Sequence, residues 1–160
     1  MSIAVGSRVP QGKFRISTAD GLADLTTAQL FDGKRVVLFS VPGAFTPTCD
    51  ARHLPGYVDL AEQFRAKGVD TVACMAVNDV FVMKAWGKSA NVGDKVLLLA
   101  DGSGDYARAL GLSLDASAHG MGQRAQRFAM VVKDGLVEQL FVEAPGKFEV
   151  SAADYVLARL

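Results

Sequence analysis

Three apolar runs of strand length constrain this chain more than any other feature. They are KRVVLFSV at residues 34–41, VDTVACMAV at 69–77 and KVLLLAD at 95–101. Strands with one wet face alternate apolar and polar residues; unbroken runs suit central strands covered on both faces. Helical spacing fills the gaps between the runs. A helix is expected from about Thr48 to Lys67-Gly68, with Tyr57, Leu60, Ala61 and Phe64 on one side and a kink at Pro55. A second, NDVFVMKAWGKS, is expected to start on Asn78 or Asp79 and to pack through Phe81, Val82, Ala85 and Trp86.

The flanking segments complete an α/β pattern. KFRIS reads as an extended segment, followed by a turn region and a small helical piece, LTTAQLFDG. GDYARALGL is a short helix. RFAMVVKDGLVEQLFVE is a hairpin turning on Asp134-Gly135, and SAADYVLARL is a capped terminal helix. Alternating strands and helices followed by a hairpin imply one α/β domain over residues 1–160, with a central mixed β-sheet flanked by α-helices. The 160 residues, half of them hydrophobic, suffice for one full core.

Charge and cysteine usage exclude several function classes. Lys+Arg and Asp+Glu balance at 17 each, with no basic stripe, so no nucleic-acid partner is expected. No apolar run approaches the ~18 residues of a membrane helix, and the N-terminus lacks the apolar stretch of a signal peptide. No membrane association and a cytoplasmic location are therefore expected. Two cysteines, Cys49 and Cys74, are too few for a secreted disulfide framework.

Cys49 sits where chemistry is favoured. It ends the run SVPGAFTPTC, at a junction where a buried strand gives way to a helix. Open α/β sheets carry their reactive groups beyond the carboxyl ends of the strands. In the first turn of a helix, unpaired N–H groups and the positive end of the dipole stabilise a thiolate. Thr46 places a hydroxyl within reach of that sulfur, and Pro42 and Pro47 stiffen the loop. The competing reading is a tight turn around a buried cysteine.

Other cysteine chemistries fit less well. A phosphatase loop needs an arginine six positions on, where Pro55 stands. A protease needs a histidine base; His53 lies one turn along the same helix in a poor geometry and reads as a surface or packing residue, and His119 as a loop residue. The two cysteines and two histidines are too dispersed for a metal site, and no cofactor is implied. A dithiol C-x-x-C is replaced by Thr46-Pro47-Thr48-Cys49. What remains is a nucleophile suited to a soft electrophile that needs no histidine base, such as the O–O bond of a peroxide.

The octet Pro42-x-x-x-Thr46-x-x-Cys49 resembles the active-site signature of the peroxiredoxins. The longer PGAFTPTC with HLPGY behind it resembles their type-five branch, the type II enzymes of plants and many bacteria. VNDVFVMKAWGKS, LLADGSGDYARALGL and RFAMVVKDGLV extend the similarity over nearly the whole chain. The resemblance implies a thioredoxin-like fold and a thiol-dependent peroxidase acting on hydrogen peroxide and organic hydroperoxides through a cysteine sulfenic acid. It implies Cys49 as the peroxidatic thiol, Thr46 as hydrogen-bond partner of sulfur and peroxide, and Pro42 as a shield. Arg127 in QRFAMVV matches the arginine that polarises the peroxide, while Arg124 reads as surface charge.

The resemblance further implies a homodimer, recycled by glutathione with glutaredoxin or by thioredoxin. Phe45, Phe81 and Trp86 are candidates for a collar around the pocket or for a dimer contact. Cys74 stands where plant-type relatives carry a second cysteine and is a candidate resolving thiol, although its apolar strand reads rather as core. The loop before the last helix, FVEAPGKFEVSA, has no cysteine. A redox sensor or holdase using the same reactive cysteine is the alternative function, and an inert thioredoxin-like binding domain a third.

Overall fold

Residues 2–160 are described by a computed structural model of the chain. The N-terminal part forms an antiparallel pair, β1 (Lys13–Thr18) and β2 (Gly21–Thr26), followed by the short helix α1 (Thr27–Phe31). Thr26 and Gln29 close α1 with reciprocal side-chain to backbone bonds. Then come β3 (Arg35–Ser40), α2 (Leu54–Ala66), β4 (Thr71–Ala76), α3 (Val80–Ser89), β5 (Leu97–Ala100) and α4 (Asp105–Leu110). Two three-residue strands, β6 (Ser113–Asp115) and β7 (Gln123–Ala125), pair with each other; His119 lies in an exposed turn between them. The hairpin β8 (Phe128–Lys133) and β9 (Leu136–Val142) and the helix α5 (Ala153–Leu157) finish the chain.

The seven-stranded sheet runs β2-β1-β5-β4-β3-β8-β9. Its three apolar runs, β3, β4 and β5, are parallel neighbours, and β8 joins β3 antiparallel. Successive residues on these strands enter opposite cores, as the twofold period of a strand requires. Val37, Phe39, Val72, Cys74, Ala129 and Val131 pack under α2, α3 and α5. Val36, Leu38, Ala73, Met75, Met130 and Val132 pack toward α1 and α4 on the other face. This is the thioredoxin-like mixed sheet with helices on both sides.

Several local expectations change. The turn region after KFRIS contains a strand, β2, and the β6–β7 arm was not foreseen. Asp79, not Asn78, caps α3, accepting from the Val82 N–H. On α3 the inward residues are Val80, Met83, Trp86 and Gly87; Phe81 is 68% exposed and Ala85 faces solvent. The terminal helix lacks a side-chain cap, because its N-cap position is Ala152, and the Ser151 hydroxyl one residue earlier donates to Glu143.

Pro55 produces a widened turn rather than a simple kink. Over Cys49–His53 the helix opens into one π turn, closed by the Leu54 N–H on the Cys49 carbonyl five residues back. In a regular α-helix the Pro55 ring would collide with the carbonyl of Ala51 and leave it unpaired. The π turn relieves that conflict by adding a residue to the turn.

Candidate active site

The site is assembled where β3 ends. After Ser40 the chain passes through Val41 and the half-buried Pro42 into the loop that opens the helix carrying Cys49. The loop is held at both sides of Phe45, which adopts a left-handed φ of 63°, rare for a bulky residue. On one side the Ala44 N–H donates to Asn78 Oδ1 at 2.9 Å; on the other the Thr46 hydroxyl donates to the Gly43 carbonyl at 2.7 Å. The Asp50 N–H then donates to the Thr46 carbonyl, and Asp50 Oδ1 receives the Trp86 indole N–H at 2.8 Å. Trp86 is therefore a fully buried strut between α3 and the start of the cysteine helix, not part of a collar. Phe45 lies outside it, half-exposed, with ring centroids 6.4 Å apart.

Cys49 is fully buried. Its Sγ accepts from Arg127 Nη2 at 3.1 Å. Arg127 stands 78 positions later in sequence, yet the register of the sheet brings it close. Ser40, the last residue of β3, pairs with Phe128, the first of β8, so the residue before β8 falls beside the loop that follows β3. Arg124, by contrast, donates from Nε to the Met121 carbonyl and from Nη1 to the Val77 carbonyl. It is a half-buried brace of the neighbouring loops rather than surface charge. Thr46 also departs from expectation, since its hydroxyl hydrogen is directed at Gly43 and not at the sulfur. The hydroxyl oxygen keeps lone pairs to offer an incoming O–H.

His53 is the site residue that sequence reasoning missed. It is fully buried, packed with tilted rings among Phe39, Tyr57 and Phe148. Its Nδ1 meets Arg127 Nη1 at 2.7 Å, and its Nε2 meets the Ser151 carbonyl at 3.1 Å. A guanidinium only donates and a carbonyl only accepts, so the ring is neutral with its hydrogen on Nε2. Burial first, and the Arg127 charge second, push its pKa from 6.5 down to about 3. The sequence did carry one signal: Cys49, His53 and Tyr57 recur every four residues, which puts them on one helix face, and a histidine on a buried face must find partners.

The Ser151 carbonyl also accepts from the Tyr57 hydroxyl at 2.7 Å. Its loop is fixed by Glu143, whose Oε2 receives the Ser151 N–H, the Ser151 hydroxyl and the Glu149 N–H. Burial alone would raise the Glu143 pKa, but these donors outweigh it and hold the carboxyl lowered.

An acid-stability prediction follows from His53. Below about pH 6.5 the unfolded chain protonates this histidine, while the folded one resists until about pH 3. The unfolded state then binds more protons, so stability falls as pH is lowered through that window, by about 5 kcal/mol in total. Urea unfolding at about pH 7 and about pH 4 should show a steep loss in the wild-type protein and a shallower one in His53→Asn. An equal loss in both would refute the assignment.

Cys74 lies mid-strand in β4, flanked in register by Phe39 and Leu98, and is fully buried. Burial pushes its thiol pKa well up, with the nearby Cys49 adding to the effect. Both cysteines are free thiols.

Comparison with known proteins agrees with this geometry. Residues 4–157 match the redoxin family. Peroxiredoxin-2B of Arabidopsis thaliana is 48% identical over 161 residues, covering 99% of this chain and 98% of that protein. The hybrid peroxiredoxin hyPrx5 of Haemophilus influenzae is 44% identical, covering all of this chain and 67% of that protein. The crystal structure of reduced Prx3 from Vibrio vulnificus in complex with hydrogen peroxide superposes with a TM-score of 0.94 at 50% identity, covering 98% of each chain. The chain thus belongs to the redoxin family, and within it to the type II peroxiredoxins, oxidoreductases that act as thiol peroxidases.

Proposed function

We propose that residues 1–160 form one thioredoxin-like peroxiredoxin domain in which Cys49 is the peroxidatic thiol, reducing hydrogen peroxide and organic hydroperoxides through a sulfenic acid. The observation that carries this reading is the Arg127 Nη2 contact on Cys49 Sγ at 3.1 Å. A permanently charged donor at that distance stays in place for the charge that moves from sulfur to oxygen. The Cys49 thiolate attacks one peroxide oxygen, an S–O bond forms and the O–O bond breaks. The electron pair leaves on the far oxygen as hydroxide or alkoxide, which takes a proton to give water or alcohol. Thr46 accepts the peroxide O–H, and Pro42 keeps bulk water from the sulfur.

Recycling falls to an outside thiol. Cys74 is locked in the sheet centre with its thiol disfavoured as thiolate, and joining it to Cys49 requires Cα atoms within about 7 Å and a partly unfolded helix start. Glutathione with glutaredoxin, or thioredoxin, attacks the sulfenic sulfur, releases water and is displaced by a second thiol. Cys74→Ser should retain most steady-state turnover, and peroxide without reductant should leave Cys49 as sulfenic or sulfinic acid by mass spectrometry. A fast intramolecular disulfide with turnover lost in Cys74→Ser would reverse this. Two free thiols suit a reducing, cytoplasmic setting, and no helix among the described residues is long and apolar enough to cross a membrane. A homodimer would cover the exposed rings of Phe45 and Phe81.

The test is stopped-flow oxidation of the reduced protein by hydrogen peroxide, followed by turnover with each thiol system. Sustained turnover is expected with at least one. A single oxidation without turnover in either would favour a redox sensor or holdase instead.

A further inference from the structure

We propose that Met121 is a second oxidation site of this protein, a thioether that peroxide converts to the sulfoxide. The added oxygen displaces the loop that carries Thr46 and so slows attack at Cys49. The proposal deepens the proposed function and rests on its assignment of Cys49.

Exposure and placement single the residue out. Among the described residues Met75, Met83 and Met130 are buried in the two cores, whereas Met121 is half-buried. It stands on the arm between β6 and β7, flanked by Gly120 and Gly122, whose φ of 70° and 66° fold the backbone tightly around it. That backbone is pinned. The Met121 N–H donates to the Ala116 carbonyl at 3.1 Å, and the Met121 carbonyl receives Arg124 Nε at 2.9 Å. The side chain reaches the reactive loop. Its Cε lies 3.2 Å from the point where a Cβ on Gly43 would stand, beside Thr46 Cγ2 at 3.0 Å and Arg124 Nη1 at 3.4 Å. Gly43 is also the residue whose carbonyl accepts the Thr46 hydroxyl. The thioether is thus packed on the segment that leads into the site.

The oxidant is the peroxide that the enzyme consumes. A sulfur lone pair attacks one peroxide oxygen, an S–O bond forms and the O–O bond breaks. The far oxygen leaves as hydroxide or alkoxide and takes a proton, so the thioether loses two electrons and the peroxide becomes water or alcohol. A thioether is a far weaker nucleophile than a thiolate, so Met121 reacts only when peroxide outlasts turnover at Cys49. The sulfoxide replaces an apolar contact with a strong acceptor, and a donor stands beside it. Arg124 Nη1 is committed to the Val77 carbonyl at 3.1 Å, next to Asn78, whose Oδ1 holds the Ala44 N–H. Drawing Nη1 toward the new oxygen loosens that brace, and Gly43 and Ala44 shift with it.

The test reads modification and rate separately. Cys49→Ser removes the competing thiol, so added hydrogen peroxide persists. In that variant peptide mass spectrometry should find sulfoxide at Met121 before Met75, Met83 or Met130. Met121→Gln carries a polar acceptor of similar length. In stopped flow it should slow peroxide attack on Cys49 by about tenfold, the scale on which displacement of a site by a fraction of an ångström acts. Met121→Leu conserves volume and should react like the wild type. Wild-type protein turning over under a sustained peroxide feed with dithiothreitol should lose activity that methionine sulfoxide reductase restores. Met121→Leu should lose only the part owed to over-oxidation of Cys49, which that reductase does not repair.

The proposal falls if Met121 is oxidised no faster than the buried methionines, or if Met121→Gln reacts at the wild-type rate. It falls equally if Gln and Leu slow the reaction alike, or if the reductase restores nothing to protein carrying sulfoxide at Met121. Each of these outcomes leaves Cys49 in its role. Full turnover in folded Cys49→Ser would instead overturn the reading on which the proposal rests, and the loss of rate with it.

Discussion

Replacing Cys49 with serine is expected to abolish peroxide turnover while the fold survives. Serine is close in size to cysteine, and its hydroxyl still accepts from Arg127 Nη2 across the 3.1 Å contact, so the buried donor keeps a partner. The core should therefore tolerate the change. Reactivity should not, because an alkoxide is far harder to form than a thiolate and no base adjoins the site; His53 has its only lone pair occupied by Arg127. The loss should be on the order of a thousandfold or more in the rate of peroxide consumption. Circular dichroism and thermal unfolding would verify folding, and a coupled peroxidase assay the loss. Turnover near wild type in a folded Cys49→Ser protein would dismantle the mechanism.

The second large effect is expected at Arg127. Arg127→Gln removes the charge that faces the sulfur and one preorganised donor to the departing oxygen. Loss of such a donor typically costs on the order of a hundredfold or more. Stopped-flow rates with hydrogen peroxide should drop accordingly. Arg124→Ala should be much milder, since its guanidinium binds the carbonyls of Met121 and Val77 and does not reach Cys49. If Arg124→Ala proved the severe variant, the two arginines would have to exchange roles.

The elements that could be read from the residues are those whose reason is local. β3, β4 and β5 announce themselves because strands buried on both faces admit almost no polar residue, and the structure places them side by side at the centre of the sheet. The β8–β9 turn was legible because Asp134 and Gly135 both take positive φ, 48° and 79°, which few residue pairs accept. β2 was missed because it is an edge strand pairing only with β1, with no fully buried residue to betray it. Phe81 misled because an aromatic at helical spacing normally packs inward, whereas here it stands in the open. The candidates Cys49, Thr46 and Pro42 share one short segment, which is why the sequence offers them together. The Thr46 hydroxyl hydrogen goes to the Gly43 carbonyl, three positions before it as Cys49 stands three after, so spacing alone could not choose between the two. His53 was the larger omission. It was weighed as a base for the neighbouring cysteine, while its actual partners lie 74 and 98 positions away, a pairing that only the sheet register and the C-terminal loop create.

The π turn at Cys49–His53 carries one more consequence, for how this protein tolerates change in length. Its extra residue gives the ring of Pro55 room while the helix runs on from Cys49 into the buried face of Leu54, Tyr57, Ala61 and Phe64. Deleting any one residue of Asp50–Arg52 would leave Cys49, Thr46 and Pro42 in the chain, yet a turn one residue shorter would press the proline ring against the carbonyl four residues before it. The seat of the sulfur is therefore fixed by a count of residues as much as by their identity. A scan of substitutions through this turn would not find that dependence; a scan of single deletions would.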